Sequence, residues 1–112
     1  IENNLDSINL EWNEEKSICI VLCAKGYPDK YENGIEIKRL NEIKLEKNNY
    51  IFHAGTKIKN SKVYSNGGRV LNFVMKSKNL KQSRDNLIKV IEDLNWENGF
   101  FRKDIGFKII EK

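Results

Sequence analysis

Apolar residues change their spacing several times along the chain, and each spacing predicts one element. Residues 17–23 form a continuous apolar and β-branched run of strand length, which predicts a central strand covered on both faces. Residues 35–40 alternate apolar and polar positions, which predicts a strand with one exposed face, and residues 50–53 are a shorter candidate. Together they predict a sheet centred on residues 17–23.

A hairpin and a further strand are predicted in the middle of the chain. Residues 56–58 and 62–65 flank Lys59-Asn60-Ser61, a pattern typical of a hairpin with a turn of about three residues or a similarly short one. Residues 70–77 follow the Asn66-Gly67-Gly68 break and again have strand composition, with one side of the pleat carrying Leu71, Phe73 and Met75.

Residues 80–94 predict the one helix of the chain. Asn79 is a suitable N-cap, and Gln82, three residues later, is placed to complete a capping box. The apolar stripe that should lie across the sheet consists of Leu80, Leu87, Ile88, Val90, Ile91 and Leu94. A cluster after the helix is expected to close the core rather than to stack on a nucleobase, and it consists of Trp96, Phe100, Phe101, Ile105 and Phe107.

The predicted fold class is therefore α+β, mainly β, with a small antiparallel sheet and one long covering helix. A chain of 112 residues is long enough for one hydrophobic core and too short for two. We expect one domain over residues 17–112. Residues 1–16 carry a weak amphipathic pattern and begin without Met, so we expect them to be the end of an upstream region or a linker.

Composition and charge narrow the class of protein. With 39% hydrophobic and 32% charged residues, the chain should fold and carry a well-solvated surface. The formal net charge of +4 raises the possibility of a nucleic-acid partner, but Lys and Arg are interleaved with Glu and Asp, which favours a solvated surface over a binding stripe. No apolar run approaches the roughly 20 residues that cross a bilayer. We expect a cytoplasmic protein with neither a nucleic-acid nor a membrane partner.

Cys19, Cys23 and His53 are the residues to test first for reactive or metal-binding chemistry. In a strand the two cysteines lie about 13 Å apart on one face, too far for a disulfide, which needs Cα atoms within about 7 Å. With His53 distant in sequence, they are also a poor metal site. We expect two small buried hydrophobic residues, and a structural histidine at a strand end with one hydrogen-bonded nitrogen.

The segment Asn66-Gly67-Gly68-Arg69 has the composition of an anion site, because glycines let backbone N–H groups approach a ligand and Arg binds phosphate with two hydrogen bonds. A strand-to-strand turn followed by an exposed Arg explains it equally well. Gly26-Tyr27 leaves two similar choices, a substrate-facing loop or a tight turn with an anchoring tyrosine. The chain contains neither a phosphate-loop motif nor a nucleophile with a nearby base, so no catalytic and no metal-binding residue is predicted.

Five segments, taken in order, make the chain from about Trp12 to its end resemble the C-terminal domain of phosphoribosylamine-glycine ligases. They are residues 17–28, residues 31–34, Phe52-His53-Ala54-Gly55-Thr56, Asn66-Gly67-Gly68-Arg69-Val70-Leu71 and Phe101-Arg102-Lys103-Asp104-Ile105-Gly106. The resemblance implies a rudimentary barrel-sandwich fold, as in the C-terminal domain of biotin carboxylase. One departure is Lys25, which stands before Gly26 where the family usually has small residues.

The resemblance also implies a function for the whole enzyme, an ATP-grasp ligase of purine biosynthesis. Such an enzyme joins glycine to 5-phosphoribosylamine, giving glycinamide ribonucleotide, ADP and phosphate, and it uses ATP with Mg²⁺ or Mn²⁺. The groups that bind ATP and metal are expected upstream of Ile1, in ATP-grasp domains that are partners of this chain. Residues 1–16 are expected to be the end of that ATP-grasp region or a linker. The chain alone is expected to be inactive, and its implied substrate-binding residues are Asn66, Gly67, Gly68, Arg69, Gly26 and Tyr27.

Two alternatives stay open at this stage. The chain could be a non-catalytic barrel-sandwich module of another ATP-grasp enzyme, such as a carboxylase. It could also be a small basic β domain that binds RNA, which the net charge and the four tyrosines support and the mixed charge pattern opposes.

Overall fold

A four-stranded antiparallel sheet, a separate hairpin and one helix make up the computed structural model of the chain, which describes residues 14–106. The sheet has the strand order β2-β5-β1-β6, and β3 pairs only with β4. This confirms the α+β class with a small antiparallel sheet and one covering helix. The elements are β1 Lys16–Ala24, β2 Asn49–His53, β3 Thr56–Lys59, β4 Lys62–Ser65, β5 Arg69–Ser77, α1 Leu80–Leu94 and β6 Gly99–Phe100.

The two longest strands, β1 and β5, pair along their whole length and form the middle of the sheet. Their register begins at Lys16 opposite Ser77 and shifts at a bulge between Leu22 and Cys23. The prediction of a central strand is confirmed, but the prediction that both of its faces are covered is wrong for the described residues. Cys19 is exposed and Cys23 half-buried, since α1 covers only the other face.

The core lies between α1 and the covered face of the sheet. Alternate residues of β1 and β5 point toward the helix, and its own buried side chains face them. Each large apolar side chain taken fully out of water contributes about 1.5–3 kcal/mol, so this interface outweighs any single cap or surface contact. Its buried apolar members include Ile20, Leu22, Leu71, Phe73, Leu87, Ile91 and Leu94.

Both ends of α1 are fixed by asparagines. Asn79 is the N-cap, and its side chain accepts a hydrogen bond of 3.1 Å from the Gln82 N–H, as predicted. A complete capping box would also need the Gln82 side chain to accept from the Asn79 N–H. This N–H donates instead to Ser77 Oγ at 3.1 Å. Asn95 ends the helix in the left-handed conformation at φ 49, and its N–H donates to the Ile91 carbonyl.

The cluster after the helix closes the core in part. Trp96, Phe101 and Ile105 pack against it, whereas Phe100 is 39% exposed and Phe107 lies outside the described residues. Phe100 belongs to β6, a strand of only two residues that no hydrophobic period could reveal.

Residues 35–40 do not form the predicted strand. They make a single bridge, between Glu36 and Tyr64, and then turn into a short 3₁₀ segment at Leu40–Glu42. A longer ladder with β4 would need the Ile37 carbonyl, but this oxygen accepts from the Leu40 N–H at 3.5 Å as the chain turns. The Glu36 carbonyl accepts a hydrogen bond of 3.1 Å from Trp96 Nε1. Within residues 14–106, the model contains no helix with the length and hydrophobicity to cross a membrane.

The β3–β4 hairpin confirms the predicted short connection, and its turn has two residues. Lys59 pairs with Lys62, so Asn60 and Ser61 form the turn, and their φ angles are 53 and 64. Positive φ at both central residues is the signature of a type I′ turn, which favours Asn first and Gly second. Ser61 therefore carries backbone strain that glycine would not.

We predict that Ser61→Gly stabilises the folded chain. A left-handed conformation costs a non-glycine residue about 1–2 kcal/mol, partly offset by the extra entropy that glycine loses on folding, so the net gain should be about 0.5–1 kcal/mol. Urea denaturation measures this change in the free energy of unfolding. The control is Lys59→Gly, which places glycine in the neighbouring strand and should destabilise the chain; stabilisation by both substitutions, or by neither, would contradict the turn assignment.

Candidate functional site

Three strands bring their loops together at one edge of the sheet. Because neighbours are antiparallel, β1 ends at Ala24 and β2 ends at His53 beside the point where β5 begins, at Arg69. The segments that follow or precede these ends are Gly26-Tyr27, Asn33, Ala54-Gly55 and Asn66-Gly67-Gly68-Arg69. We call this group of residues the loop edge.

Tyr27 anchors its loop on Gly68. A Cβ added to Gly68 would lie 1.9 Å from Tyr27 Cδ2, so the ring rests directly on the glycine backbone. The Ala24 N–H donates to the Gly68 carbonyl at 2.8 Å, and the Tyr27 N–H donates to the Ala24 carbonyl at 3.1 Å. Of the two choices for Gly26-Tyr27, the tight turn with an anchoring tyrosine is therefore present. It contacts Asn66-Gly67-Gly68, which we call the glycine loop.

Gly55 holds the glycine loop from its other side. A Cβ at Gly55 would come within 2.5 Å of the Arg69 carbonyl, and the Gly55 carbonyl accepts a 2.8 Å hydrogen bond from the Asn66 N–H. Gly67 itself has a φ of 141, which side chains rarely allow. Sequence reasoning named Gly55 only as part of a family segment and missed this contact.

Asn33 was also missed as a member of the site. Its Oδ1 accepts a 2.9 Å hydrogen bond from the Gly67 N–H, 34 positions away in sequence. The amide oxygen occupies a place where a ligand oxygen could otherwise bind the loop. The Tyr31-Glu32-Asn33-Gly34 segment was a signal, but nothing local indicated which residue Asn33 would contact.

Arg69 is exposed, and its side chain forms neither an ion pair nor a hydrogen bond within residues 14–106. Its charge reaches Cys23, whose pKa is raised by burial and partly lowered again by the guanidinium. A cation without a carboxylate partner is available to an anion from outside this part of the chain.

His53 has the structural role expected of it. It ends β2, is exposed, and its Nδ1 lies 2.7 Å from Thr56 Oγ1. The expectation for the cysteines is wrong in one respect, because Cys19 is exposed rather than buried. Burial nevertheless raises the pKa of the Cys19 thiol, which keeps it protonated at neutral pH.

All six predicted substrate-binding residues lie at the loop edge. Gly68 is buried and Tyr27 half-buried, while Asn66, Arg69 and Gly26 are exposed. Across residues 14–106, no group of three or more His, Cys, Asp or Glu side chains is arranged to hold a metal ion. The geometry therefore brings an exposed arginine to the end of a glycine loop that Tyr27 and Gly55 hold on both sides.

The last family segment forms an exposed ion pair and a core contact. Arg102 donates to both carboxylate oxygens of Asp104, at 3.2 and 2.9 Å, and this hydrogen bonding lowers the pKa of Asp104. Phe101, directly before this pair, packs against the core. Arg102 differs from Arg69 in that its charge already has a partner.

Comparison with known proteins places these features in one family. The family model described as "Phosphoribosylglycinamide synthetase, C domain" matches residues 17–108. The phosphoribosylamine–glycine ligase of Caldanaerobacter subterraneus is 36% identical over 106 residues, which are 95% of this chain and 25% of that protein. The bifunctional purine biosynthetic protein of Dictyostelium discoideum is 39% identical over 111 residues, 98% of this chain and 14% of that protein.

A solved structure agrees with the sequence comparisons. The crystal structure of the phosphoribosylamine–glycine ligase of Thermotoga maritima matches with a TM-score of 0.63 and 33% identity, over 79% of this chain and 21% of that one. The chain thus spans about a quarter of the length of its single-function relatives, and less of the bifunctional one.

We predict that Gly68→Ala destabilises the chain because the new methyl group must displace the Tyr27 ring. Overpacking of this kind costs about 1–3 kcal/mol. In a Tyr27→Ala background the methyl has room, so the same substitution should cost less than about 1 kcal/mol. Urea denaturation of both single variants and the double variant measures the difference. An equal cost in both backgrounds would show that the ring does not rest on Gly68.

Proposed function

Because this chain belongs to the phosphoribosylglycinamide synthetase C-domain family, we propose that it is the C-terminal domain of a phosphoribosylamine–glycine ligase of purine biosynthesis. The enzyme would join glycine to 5-phosphoribosylamine at the expense of ATP. The observation that carries the role of this domain is Arg69, an exposed cation that has no ion pair within residues 14–106 and lies beside a glycine loop fixed by Tyr27 and Gly55.

The proposed reaction needs two substrates held against each other. The glycine carboxylate takes the γ-phosphoryl group of ATP and ADP leaves, forming an acyl phosphate. The amine of phosphoribosylamine then attacks the carbonyl carbon, the bond to phosphate breaks and the nitrogen loses a proton. The domain's share is to hold the phosphoribosyl end in place, because correct positioning lowers the entropic part of the barrier.

Arg69 and the neighbouring backbone are proposed to bind the 5-phosphate of phosphoribosylamine. A guanidinium can donate two hydrogen bonds to one phosphate, and such charge-assisted bonds are stronger than neutral ones. Gly67 would bring the backbone close to the ligand, while Gly68, buried under the Tyr27 ring, would hold the loop in shape. Asn33 would either support the same loop or give way to a phosphate oxygen. Asn66, Gly26 and Tyr27 would complete the wall that this domain gives to the substrate cleft of the enzyme.

ATP and its Mg²⁺ or Mn²⁺ are assigned to the ATP-grasp domains of the same enzyme rather than to this chain. Residues 14–106 bring no three acidic, His or Cys side chains together, so they do not fit a metal site, and we derive no step through the metal here. The resemblance to the family also supports a rudimentary barrel-sandwich fold, and a cytoplasmic location remains the expectation from the sequence. Neither a carboxylase module nor an RNA-binding domain is favoured by the comparisons.

We predict that Arg69→Ala in the full ligase raises the KM for phosphoribosylamine. Losing a charge-assisted hydrogen bond costs about 1.5–3 kcal/mol, which corresponds to about ten- to a hundredfold. The KM values for glycine and ATP should stay within about twofold, because only one substrate loses a contact. Arg69→Lys should fall between Ala and the parent enzyme, since Lys keeps the charge without the fork. Steady-state kinetics with each substrate varied measures these effects.

The matched control is Arg102→Ala, which removes an exposed arginine that is already paired with Asp104. It should leave the KM for phosphoribosylamine within about twofold of the parent value. If Arg69→Ala leaves this KM unchanged, the phosphate assignment is wrong.

We also predict that the purified 112-residue chain forms no glycinamide ribonucleotide and hydrolyses no ATP. The physical reason is that the groups that bind ATP and its metal ion are assigned to the ATP-grasp domains of the whole enzyme. Product formation from glycine, phosphoribosylamine and ATP is the measurement, with a full-length ligase as the positive control. Turnover by the chain alone would place the catalytic groups within it and refute the division of roles.

A further inference from the structure

The β3–β4 hairpin presents three lysines on one of its faces. Residues two apart on a strand point to the same side, and so do residues directly opposite each other on paired strands. Lys57 and Lys59 therefore share one side of β3, and the register places Tyr64 opposite Lys57 and Lys62 opposite Lys59. The three lysines are exposed and the tyrosine is half-buried. We call these four residues the basic face.

The positive charge of the basic face is not balanced by nearby carboxylates. Like charges directly opposite each other destabilise a pair of strands, yet Lys59 and Lys62 stand in that position. Within residues 14–106, none of the three lysines forms an ion pair. Glu36 makes a single bridge with Tyr64, but its carboxylate is not paired with any of these lysines either. An anionic ligand on this face would relieve the repulsion.

A cavity of about 500 Å³ lies beside the basic face. Lys57, Lys59 and Tyr64 line it from the hairpin, and Asn33 and Asn66 line it from the loop edge. Among residues 14–106, no carboxylate lines this cavity, whereas the two other polar cavities of similar size are lined by residues of both charges. Its volume falls in the range of about 300–1,000 Å³ that is typical of sites for small ligands.

The wall of this cavity that residues 33–34 form is fixed by hydrogen bonds. The Gly34 N–H donates to the Ser65 carbonyl of β4 at 2.6 Å. Asn33 accepts from the Gly67 N–H through its amide oxygen, which leaves its amide nitrogen as a donor for a ligand. The cavity is thus preformed and borders the glycine loop, but Arg69 is not among the residues that line it.

We propose that the basic face and this cavity bind a nucleoside phosphate, at a site separate from the phosphate site at Arg69. The lysines would pair with the phosphate, the Tyr64 ring would stack on the base, and the amides of Asn33 and Asn66 would hydrogen-bond to its edge. A free nucleotide is favoured over an RNA strand, because Lys and Arg are interleaved with Glu and Asp along the chain and a strand would find no continuous basic stripe. The inference goes beyond the proposed function, since it requires neither Arg69 nor the ligase reaction.

Protection of lysines from acetylation tests the proposal. The full-length protein is treated with N-hydroxysuccinimidyl acetate at rising concentrations of AMP, and mass spectrometry follows the acetylation rate of each lysine. At saturation we expect AMP to slow the acetylation of Lys57 and Lys59 by about tenfold or more, because the bound phosphate occupies their amines. The control within the same sample is Lys89, which is exposed on α1 and lies outside the cavity, and its rate should change by less than about twofold.

A ligand series and one variant separate the contribution of the base from that of the phosphate. Ribose 5-phosphate lacks the base and adenosine lacks the phosphate, so each should need a concentration at least about tenfold higher than AMP for the same protection. Tyr64→Leu removes the aromatic ring but keeps an apolar side chain in β4. It should weaken protection by AMP about tenfold and leave protection by ribose 5-phosphate within about twofold, because only stacking on the base is lost.

Three outcomes would overturn the proposal. AMP could leave the acetylation of Lys57 and Lys59 unchanged, or inorganic phosphate could protect them as well as AMP does, which would show an anion site without recognition of the base. A short RNA oligonucleotide could also protect them at a far lower concentration than AMP, which would assign the face to RNA.

The Arg69→Ala variant keeps this test apart from the proposed function. Protection by AMP should be the same in that variant as in the parent protein, because Arg69 does not line the cavity. Protection with an unchanged KM for phosphoribosylamine in Arg69→Ala would retain the nucleotide site and reject the phosphate site, while a raised KM without protection would do the reverse.

Discussion

The pairing of β1 with β5, covered by α1 on one side, is the interaction on which the rest of the structure depends. It brings together the longest strands and most of the buried apolar side chains, so it supplies the main stabilisation. It also fixes the geometry of everything else. Because the pairing is antiparallel, the end of β1 and the start of β5 meet, and the loops that carry Tyr27 and Arg69 must lie side by side.

Close backbone approach then turns this meeting of loops into a rigid site. Gly55 and Gly68 leave no room for a Cβ, and the atoms that fill the space belong to Arg69 and Tyr27. Hydrogen bonds from Ala24 and to Asn33 fix the same loop without using the Arg69 side chain. Arg69 thus follows a loop held by close contacts, and its guanidinium forms no ion pair within residues 14–106, which is the arrangement that the proposed anion binding needs.

Sequence reasoning succeeded where the determinants are local and failed where they are distant. The helix follows from a 3.6-residue period and an Asn cap, both contained within a few residues, and its predicted bounds of 80–94 are those of α1. The strand predicted at 35–40 stops after one bridge because the chain turns where the Ile37 carbonyl accepts from the Leu40 N–H, and Trp96, 60 residues away, binds the Glu36 carbonyl. Asn33 and Gly55 were missed as site residues for the same reason, since their partners lie in loops that only the fold brings near.

The wrong expectation about β1 has a physical explanation of its own. A continuous apolar run predicts a strand with two covered faces, and that inference concerns what the residues require rather than what covers them. Within residues 14–106, the helix satisfies this requirement on the side of Ile20 and Leu22 only. On the other side Cys19 and Val21 keep the composition of a buried strand beside exposed aromatic rings. Composition therefore shows that a strand requires cover, whereas only the three-dimensional arrangement of the other elements shows which of its faces receives it.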